Sequence, residues 1–247
     1  MRVYVILPAA GIGSRMASGM SSGSAGGDKP AKQFMEIGGV PVLVYSLRAF
    51  AGVERVAEVL VAVKASEMGR VTELVAAHGL SAKIRVVEGG ENRQGSVANG
   101  LAALKCADDD VVLVHDAVRP LIDAVTIERT IDCVVKHGAA IVGLPAVDTI
   151  KQVERTADGA IVSSTIPRER VVHAQTPQGA TFGLLKRAFA EAEADGFAGT
   201  DEASLLERAG VQVSVVAGSG RNFKMTQPGD LELAEFYLKR STADGRG

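Results

Sequence analysis

The feature that most constrains how this chain folds is a rhythm. Short apolar runs rich in β-branched residues recur along it, separated by stretches with helical periodicity. Residues 3–7, 59–63, 84–87, 111–115, 139–142 and 211–216 read as strands. They are apolar almost without interruption, as expected when both faces of a parallel sheet are covered and neither meets water. Between them, residues 66–78 repeat apolar side chains at Met68, Val71 and Val75, with Ser66 as an N-cap and Gly79 as a stop. Val97, Leu101 and Leu104 mark a second helix at i, i+4 and i+7, and Ile127, Ile131 and Val134 mark a third that ends before Gly138. Such alternation predicts an α/β fold built on a doubly wound, mostly parallel sheet.

Two segments break the rhythm. Residues 148–153 and 160–166 flank Thr156-Ala157-Asp158-Gly159, whose Asp-Gly pair signals a hairpin turn. The region at about 148–172 therefore reads as a β-arm projecting from the sheet, or as an ordinary surface hairpin. Residues 17–28 are Gly- and Ser-rich and read as a mobile loop, and residues 241–247 as a disordered tail. With no internal repeat and no linker, residues 1–240 read as one domain.

Composition narrows the partners. Of the 247 residues, 47% are hydrophobic, enough for a substantial core without disulfide staples. Lys plus Arg number 27 and Asp plus Glu 29, so the basic excess that drives binding to a nucleic-acid backbone is missing and no nucleic acid is expected. Cys106 and Cys133 lie far apart without metal-ligand spacing, which fits a reducing compartment. The apolar run at residues 3–7 is too short for a signal peptide, and no apolar stretch reaches the roughly 18 residues of a membrane span. A cytoplasmic protein with no membrane partner is expected.

The strongest local signal follows the first strand: Leu7-Pro8-Ala9-Ala10-Gly11-Ile12-Gly13-Ser14-Arg15-Met16. Ligands of open α/β sheets sit at the carboxyl ends of strands, and glycines there let backbone N–H groups approach an anion while Arg15 adds a fixed charge. Met16 stands where the third glycine of a dinucleotide fingerprint belongs, and there is no Gly-Lys dipeptide for a P-loop. Downstream, Lys29 and Lys32 bring two more cations to the same mouth. The segment Glu88-Gly89-Gly90-Glu91-Asn92-Arg93-Gln94-Gly95-Ser96 also lies between a strand and a helix, and its paired glycines permit close approach to a flat group such as a nucleobase, or simply a turn. Val114-His115-Asp116-Ala117-Val118-Arg119-Pro120 ends the fourth strand. Here Asp116 reads either as a residue that orients a ligand hydroxyl or approaches a metal-bound phosphate, or as half of a buried ion pair with Arg119, while His115 reads as a satisfied histidine at the edge of the core. Lys224, just before the last helix, is a third candidate phosphate cation or a snorkelling surface lysine. Thr200 is a candidate N-cap, with acids behind it in the first turn.

Two pattern matches carry no chemistry. Gly19-Met20-Ser21-Ser22-Gly23 fits G-x-S-x-G but no strand leads into it, so the strained elbow is missing. Asp108-Asp109-Asp110 precedes its strand and so lies at the wrong end of the sheet for the glycine loops. None of the four histidines, His78, His115, His137 and His173, falls in a metal-binding pattern.

Taken together, Pro8-Ala9-Ala10-Gly11-x-Gly13-x-Arg15-Met16, Lys32-Gln33, Gly89-Gly90-x-x-Arg93-x-x-Ser96-Val97, Val114-His115-Asp116-Ala117-x-Arg119-Pro120, Asp148-Thr149-x-Lys151, Gln175-Thr176-Pro177-Gln178, Thr200-Asp201-Glu202-Ala203 and Lys224-x-Thr226 resemble the 2-C-methyl-D-erythritol 4-phosphate cytidylyltransferase family of the non-mevalonate isoprenoid pathway. The resemblance implies a homodimeric, Rossmann-like nucleotidyltransferase whose β-arm crosses to the partner and completes its active site. It implies CTP and a polyol phosphate as substrates, with Mg²⁺ or another divalent cation held mainly by the CTP phosphates rather than by protein ligands. By match of motif, Arg15, Lys32 and Lys224 would be catalytic. Ala10, Gly11, Gly13, Gly90, Glu91, Ser96, Asp116 and Ala117 would bind the nucleotide. Arg119, Thr176 and Thr200 would line the acceptor pocket, joined by Thr149 and Arg168 from the other subunit's arm. Ribitol 5-phosphate is the alternative acceptor. Two departures from the family pattern stand out: residues 17–28 are unusually long, and Ala31 separates Pro30 from Lys32.

Overall fold

The computed structural model describes residues 1–11, 31–227 and 229–243. In chain order its strands are β1 (Val3–Pro8), β2 (Glu36–Ile37), β3 (Val40–Pro41), β4 (Val56–Val63), β5 (Ile84–Glu88), β6 (Val111–Val114), β7 (Ala139–Pro145), β8 (Ile150–Thr156), β9 (Gly159–Ile166), β10 (Val172–Thr181) and β11 (Ser214–Ala217). The α-helices are α1 (Val42–Ala51), α2 (Met68–Ala77), α3 (Arg93–Ala103), α4 (Ala124–His137), α5 (Phe182–Ala194), α6 (Glu202–Arg208) and α7 (Gly229–Ala243).

Seven strands form the central sheet in the order β11-β7-β10-β6-β1-β4-β5. Pairing is parallel except along β10, which runs antiparallel to both β6 and β7. The doubly wound, mostly parallel α/β architecture is thus the one expected. Its two faces show directly in β1, where Val3, Val5 and Leu7 belong to one core cluster and Tyr4 and Ile6 to the other. The first cluster takes Leu43, Leu47 and Phe50 from α1, Val71 and Val75 from α2, and Ile127, Ile131 and Val134 from α4. The second takes Val97 and Leu101 from α3, Leu185 and Phe189 from α5, and Leu205 and Leu206 from α6. Each fully buried aliphatic side chain of this kind contributes about 1.5–3 kcal/mol relative to exposure.

The structure corrects the sequence reading at several elements. Ser66 lies inside a 3-10 turn, Ala65–Glu67, and α2 begins behind it with Glu67 as an N-cap that makes no side-chain bond. Thr200 is not the N-cap of α6; Asp201 is, in a reciprocal capping box with Ser204. The last strand starts at Ser214, because the amide of Val211 closes the preceding helix on Leu206 O instead. β10 went unseen because its buried positions Gln175, Thr176 and Gln178 are polar, so period and hydrophobicity both fail there. α7 reaches Ala243, into the segment read as a tail. Residues 12–30, with Gly13, Arg15, Lys29, the 17–28 loop and the G-x-S-x-G match, lie outside the described residues, as do residues 244–247.

β8 and β9 form a separate two-stranded antiparallel sheet. Thr156 pairs with Gly159, so Ala157 and Asp158 make the turn and Gly159, at φ 143°, closes it. Along this arm and its base Val147, Val153, Ile161, Val162 and Val172 are exposed. No helix among the described residues is long and apolar enough to cross a membrane.

Candidate active site

After β1 the chain builds outward through β4 to β5, then returns to the other side of β1 with β6. The order reverses between β1 and β6, and in open α/β sheets ligands bind at the carboxyl ends of the strands at such a point. A cavity of about 330 Å³ opens there, lined by Pro8 at the end of β1 and residues 9–11 beyond it, Asp116, Ala117 and Val118 beyond β6, Arg93 and Ser96 from α3, Lys32 and Gln33, and Lys224, Met225 and Thr226. A larger groove of about 1230 Å³ runs between α3 and α5, lined among others by Leu101, Phe182 and Phe189; neither Lys32 nor Lys224 is among its described lining residues.

The first wall is the loop after β1. The amide of Ala9 bonds Ala62 O, and Gln33 Nε2 donates to Ala9 O at 2.7 Å from a buried position. Gln33 thereby fixes the short 3-10 turn Lys32–Phe34 against the loop, and Lys32 Nζ donates to Thr226 O at 3.2 Å. The second wall is the glycine loop. A Cβ on Gly90 would lie 2.6 Å from the carbonyl carbon of Gly95, and one on Gly89 would lie 2.9 Å from the Ala10 Cβ, so glycine lets this loop close on itself and pack against the loop after β1. Ser96 Oγ, buried at the start of α3, accepts from Gly90 N at 3.1 Å and donates to Asn92 O at 2.8 Å. Asn92 caps α3 by accepting from Gly95 N.

At the base of the cavity Asp116 meets three cations. Arg93 Nε is 3.1 Å from Oδ1, while Lys224 Nζ at 2.9 Å and Arg119 Nε at 3.4 Å share Oδ2. Burial alone would raise the Asp116 carboxyl, but Arg93, Lys224 and Arg119 outweigh it and hold the group well below the usual carboxylate range. Behind Arg93 stands Glu202, 1% exposed, which takes both terminal guanidinium nitrogens at 2.7 and 2.9 Å. Burial opposes the charge of Arg93, yet Glu202 and Asp116 hold its guanidinium above the ordinary range. Arg119 is fixed through Nη1 to Asn222 O at 2.7 Å. Asp116 and Arg119 thus form the buried ion pair of one reading, and the same carboxylate holds Lys224.

His115 is fully buried, and burial pushes its pKa down to about 4, so the ring is neutral. Its Nε2 lies 3.1 Å from Arg119 O, which only accepts, so Nε2 carries the proton. Nδ1 then accepts from the Thr176 hydroxyl at 3.0 Å, and that hydroxyl oxygen in turn accepts from Asp116 N at 3.1 Å. A break in register between Gln175 and Gln178 of β10 brings Thr176 to this point.

Of the residues singled out in the sequence, the cavity wall brings together Ala10, Gly11, Lys32, Ser96, Asp116, Ala117 and Lys224. Gly90 supports that wall from behind, and Arg119 and Thr176 support Asp116. Glu91 and Thr200 are exposed and do not line the cavity, and Thr149 and Arg168 are exposed at the root of the arm, where Arg168 Nη1 donates to Val147 O at 2.8 Å. Sequence reading assigned no site role to Arg93, Gln33 or Glu202. The position of Arg93 at a helix start behind two glycines was a usable signal; Glu202 looked like an ordinary first-turn acid. The Asp108–Asp110 run is structural, as Asp110 accepts from the amides of Arg2 and Ala107 at 2.6 and 2.9 Å.

A Rossmann-like sheet with a cation-ringed cavity at its switch point defines a nucleotide-handling α/β protein. The comparisons with known proteins are more specific. The model of IspD, 2-C-methyl-D-erythritol 4-phosphate cytidylyltransferase, matches residues 3–240, and the chain belongs to that family. It is 61% identical over 243 residues to the 2-C-methyl-D-erythritol 4-phosphate cytidylyltransferase of Acidobacterium capsulatum, covering 98% of this chain and 100% of that one. It is 49% identical to the protein of the same name from Solibacter usitatus, covering 98% of both. Among solved structures it is similar to the Francisella tularensis 2-C-methyl-D-erythritol 4-phosphate cytidylyltransferase, with TM-score 0.78, 31% identity, and 96% and 99% coverage. The Anaerococcus prevotii 4-diphosphocytidyl-2C-methyl-D-erythritol synthase gives TM-score 0.79 at 28% identity, with 97% and 99% coverage.

Proposed function

We infer that this protein transfers the cytidylyl group of CTP to 2-C-methyl-D-erythritol 4-phosphate, releasing pyrophosphate and giving 4-diphosphocytidyl-2-C-methyl-D-erythritol. The observation that carries the reading is the meeting of Lys32, Lys224 and Arg93 in one cavity, which Asp116 also lines, at the sheet's switch point, in a chain of this family. An oxygen of the acceptor phosphate attacks the α-phosphorus in line, and the bond to the α–β bridging oxygen breaks with its electron pair leaving on pyrophosphate. The nucleophile is already an anion, so no strong general base is needed; the work is positioning two polyanions and offsetting their charge. Lys32 and Lys224, with Arg15, are assigned to the triphosphate and its developing charge. Ala10, Gly11, Gly13, Gly90, Glu91 and Ser96 are assigned to the nucleotide, and Asp116 and Ala117 to the nucleotide sugar and second substrate.

Among the described residues no group of three or more His, Cys, Asp or Glu is placed to hold a metal ion, and Asp116 is already engaged by three cations. In this reading the divalent cation arrives on the triphosphate. Mg²⁺ or another such ion would supply further neutralisation of the phosphates.

We assign the acceptor pocket to Arg119, Thr176 and Thr200, completed by Thr149 and Arg168 from the arm of a second copy. The exposed Val153, Ile161 and Val162 on the arm support a homodimer in which it is covered. Residues 1–240 then act as one nucleotidyltransferase domain with the arm as its appendage, in the cytoplasm. The relatives' shared name favours 2-C-methyl-D-erythritol 4-phosphate over ribitol 5-phosphate. Incubation with CTP, Mg²⁺ and each polyol phosphate in turn, following pyrophosphate, tests this. Release with ribitol 5-phosphate alone, or with neither, overturns the reading.

A further inference from the structure

Arg93 joins three elements. It stands in the first turn of α3, its terminal nitrogens hold both oxygens of Glu202 in the first turn of α6, and its Nε holds Oδ1 of Asp116 beyond β6. The neighbouring Gln94 repeats the link, with Oε1 accepting from Gly199 N at 2.9 Å and Nε2 donating to Phe197 O at 3.2 Å. The elements so tied are the glycine loop beside Ser96, the carboxylate that holds Lys224, and the loop that carries Thr200.

We propose that Arg93 is a positioning residue for cytidylyl transfer: clamped by Glu202, it fixes Asp116 through Oδ1, so that Oδ2 presents Lys224 to the phosphates. The proposal rests on the function inferred above. Its physical basis is the planar guanidinium fork, which satisfies a bidentate carboxylate and a second acceptor at once; a lysine has a single nitrogen and cannot span both. With Arg93 removed, Asp116 keeps only the two cations on Oδ2. Nothing then opposes its rotation toward Arg119 and Lys224, which draws the lysine away from the nucleotide.

The competing account is that the Arg93–Glu202 pair is purely structural, and a double variant separates the two. Arg93→Gln alone leaves the Glu202 carboxylate buried without its partner and should lower the melting temperature. Arg93→Gln combined with Glu202→Gln removes both charges and should recover much of it. Positioning predicts that the double variant still loses kcat by about 10²-fold, the scale for one preorganised contact, with KM for CTP within about threefold of wild type. Arg93→Lys should lose kcat similarly despite keeping the charge. A double variant that turns over within threefold of wild type overturns the proposal, as does full activity in Arg93→Lys. Should Arg93→Gln alone fail to fold, the double variant and Arg93→Lys still decide. Wild-type turnover is measured alongside: if it releases no pyrophosphate with any polyol phosphate, the functional reading and this proposal fall together, whereas an active wild type with an equally active double variant overturns the proposal alone.

Discussion

Lys224 Nζ lies 2.9 Å from Asp116 Oδ2, at the base of the cavity that Lys32 also lines. With Arg93 and Arg119 on the same carboxylate, the lysine is held in place at the base of the cavity. A preorganised cation of this kind needs no reorganisation when negative charge develops, and there its effect on the transition state is greatest.

Lys224→Met and Lys32→Ala should each lower kcat by about 10²–10³. Arg15→Ala is expected to behave the same way. Steady-state pyrophosphate release on folded, monodisperse variants is the check, and near-wild-type turnover in any of them removes that residue from its assigned role.

His115 gives the fold an acid sensitivity of predictable sign. In the unfolded chain it takes up a proton below its ordinary 6.5, while burial keeps it neutral in the fold down to about 4. The unfolded state therefore binds the extra proton across that window, so stability is full above about 6.5 and is lost as the pH falls toward 4. The loss between about pH 7 and about pH 5 should be roughly 2 kcal/mol. Denaturant melts across this range measure it; His115→Leu should flatten the slope while lowering stability at neutral pH, since Arg119 O and the Thr176 hydroxyl lose their partner.

Gly90→Ala puts a methyl group 2.6 Å from the Gly95 carbonyl carbon, backbone against backbone, with no flexible side chain to yield. About 1–3 kcal/mol of stability should be lost. If the loop reads cytosine, KM for CTP should rise more than kcat falls. Unchanged nucleotide affinity would place base recognition elsewhere.

Arg168 is exposed at the root of the arm, and the role proposed for it lies in the site of a second subunit. Inactive Arg168→Ala and inactive Lys32→Ala proteins should regain partial activity on mixing, because a hybrid dimer contains one intact site. Subunit exchange shown by mass, without recovered turnover, would rule out a shared site.

Much of the fold was legible because β1, β4, β6 and β7 are buried over most of their length on both faces and so are apolar almost throughout. The glycine loops were legible for the same kind of reason: a close approach of two backbones leaves a mark in residue type. β10 was not, because its buried Gln175, Thr176 and Gln178 are satisfied by hydrogen bonds across the sheet and to α6. α1 escaped as well, its Val42-Leu43-Val44 start being as apolar as any strand.

By itself, the sequence determined the alternation that makes a doubly wound sheet, the loops that open at its carboxyl ends, and the family motifs along nearly the whole chain. Only the tertiary structure decided which side chains share a charge. Arg93, Asp116, Glu202 and Lys224 are separated by up to 131 positions, and their pairing depends on distances of about 3 Å that no local pattern encodes. A first-turn glutamate looks the same in sequence whether it faces water or a buried arginine. Desolvation makes the difference, because burying Glu202 is tolerable only with Arg93 against it.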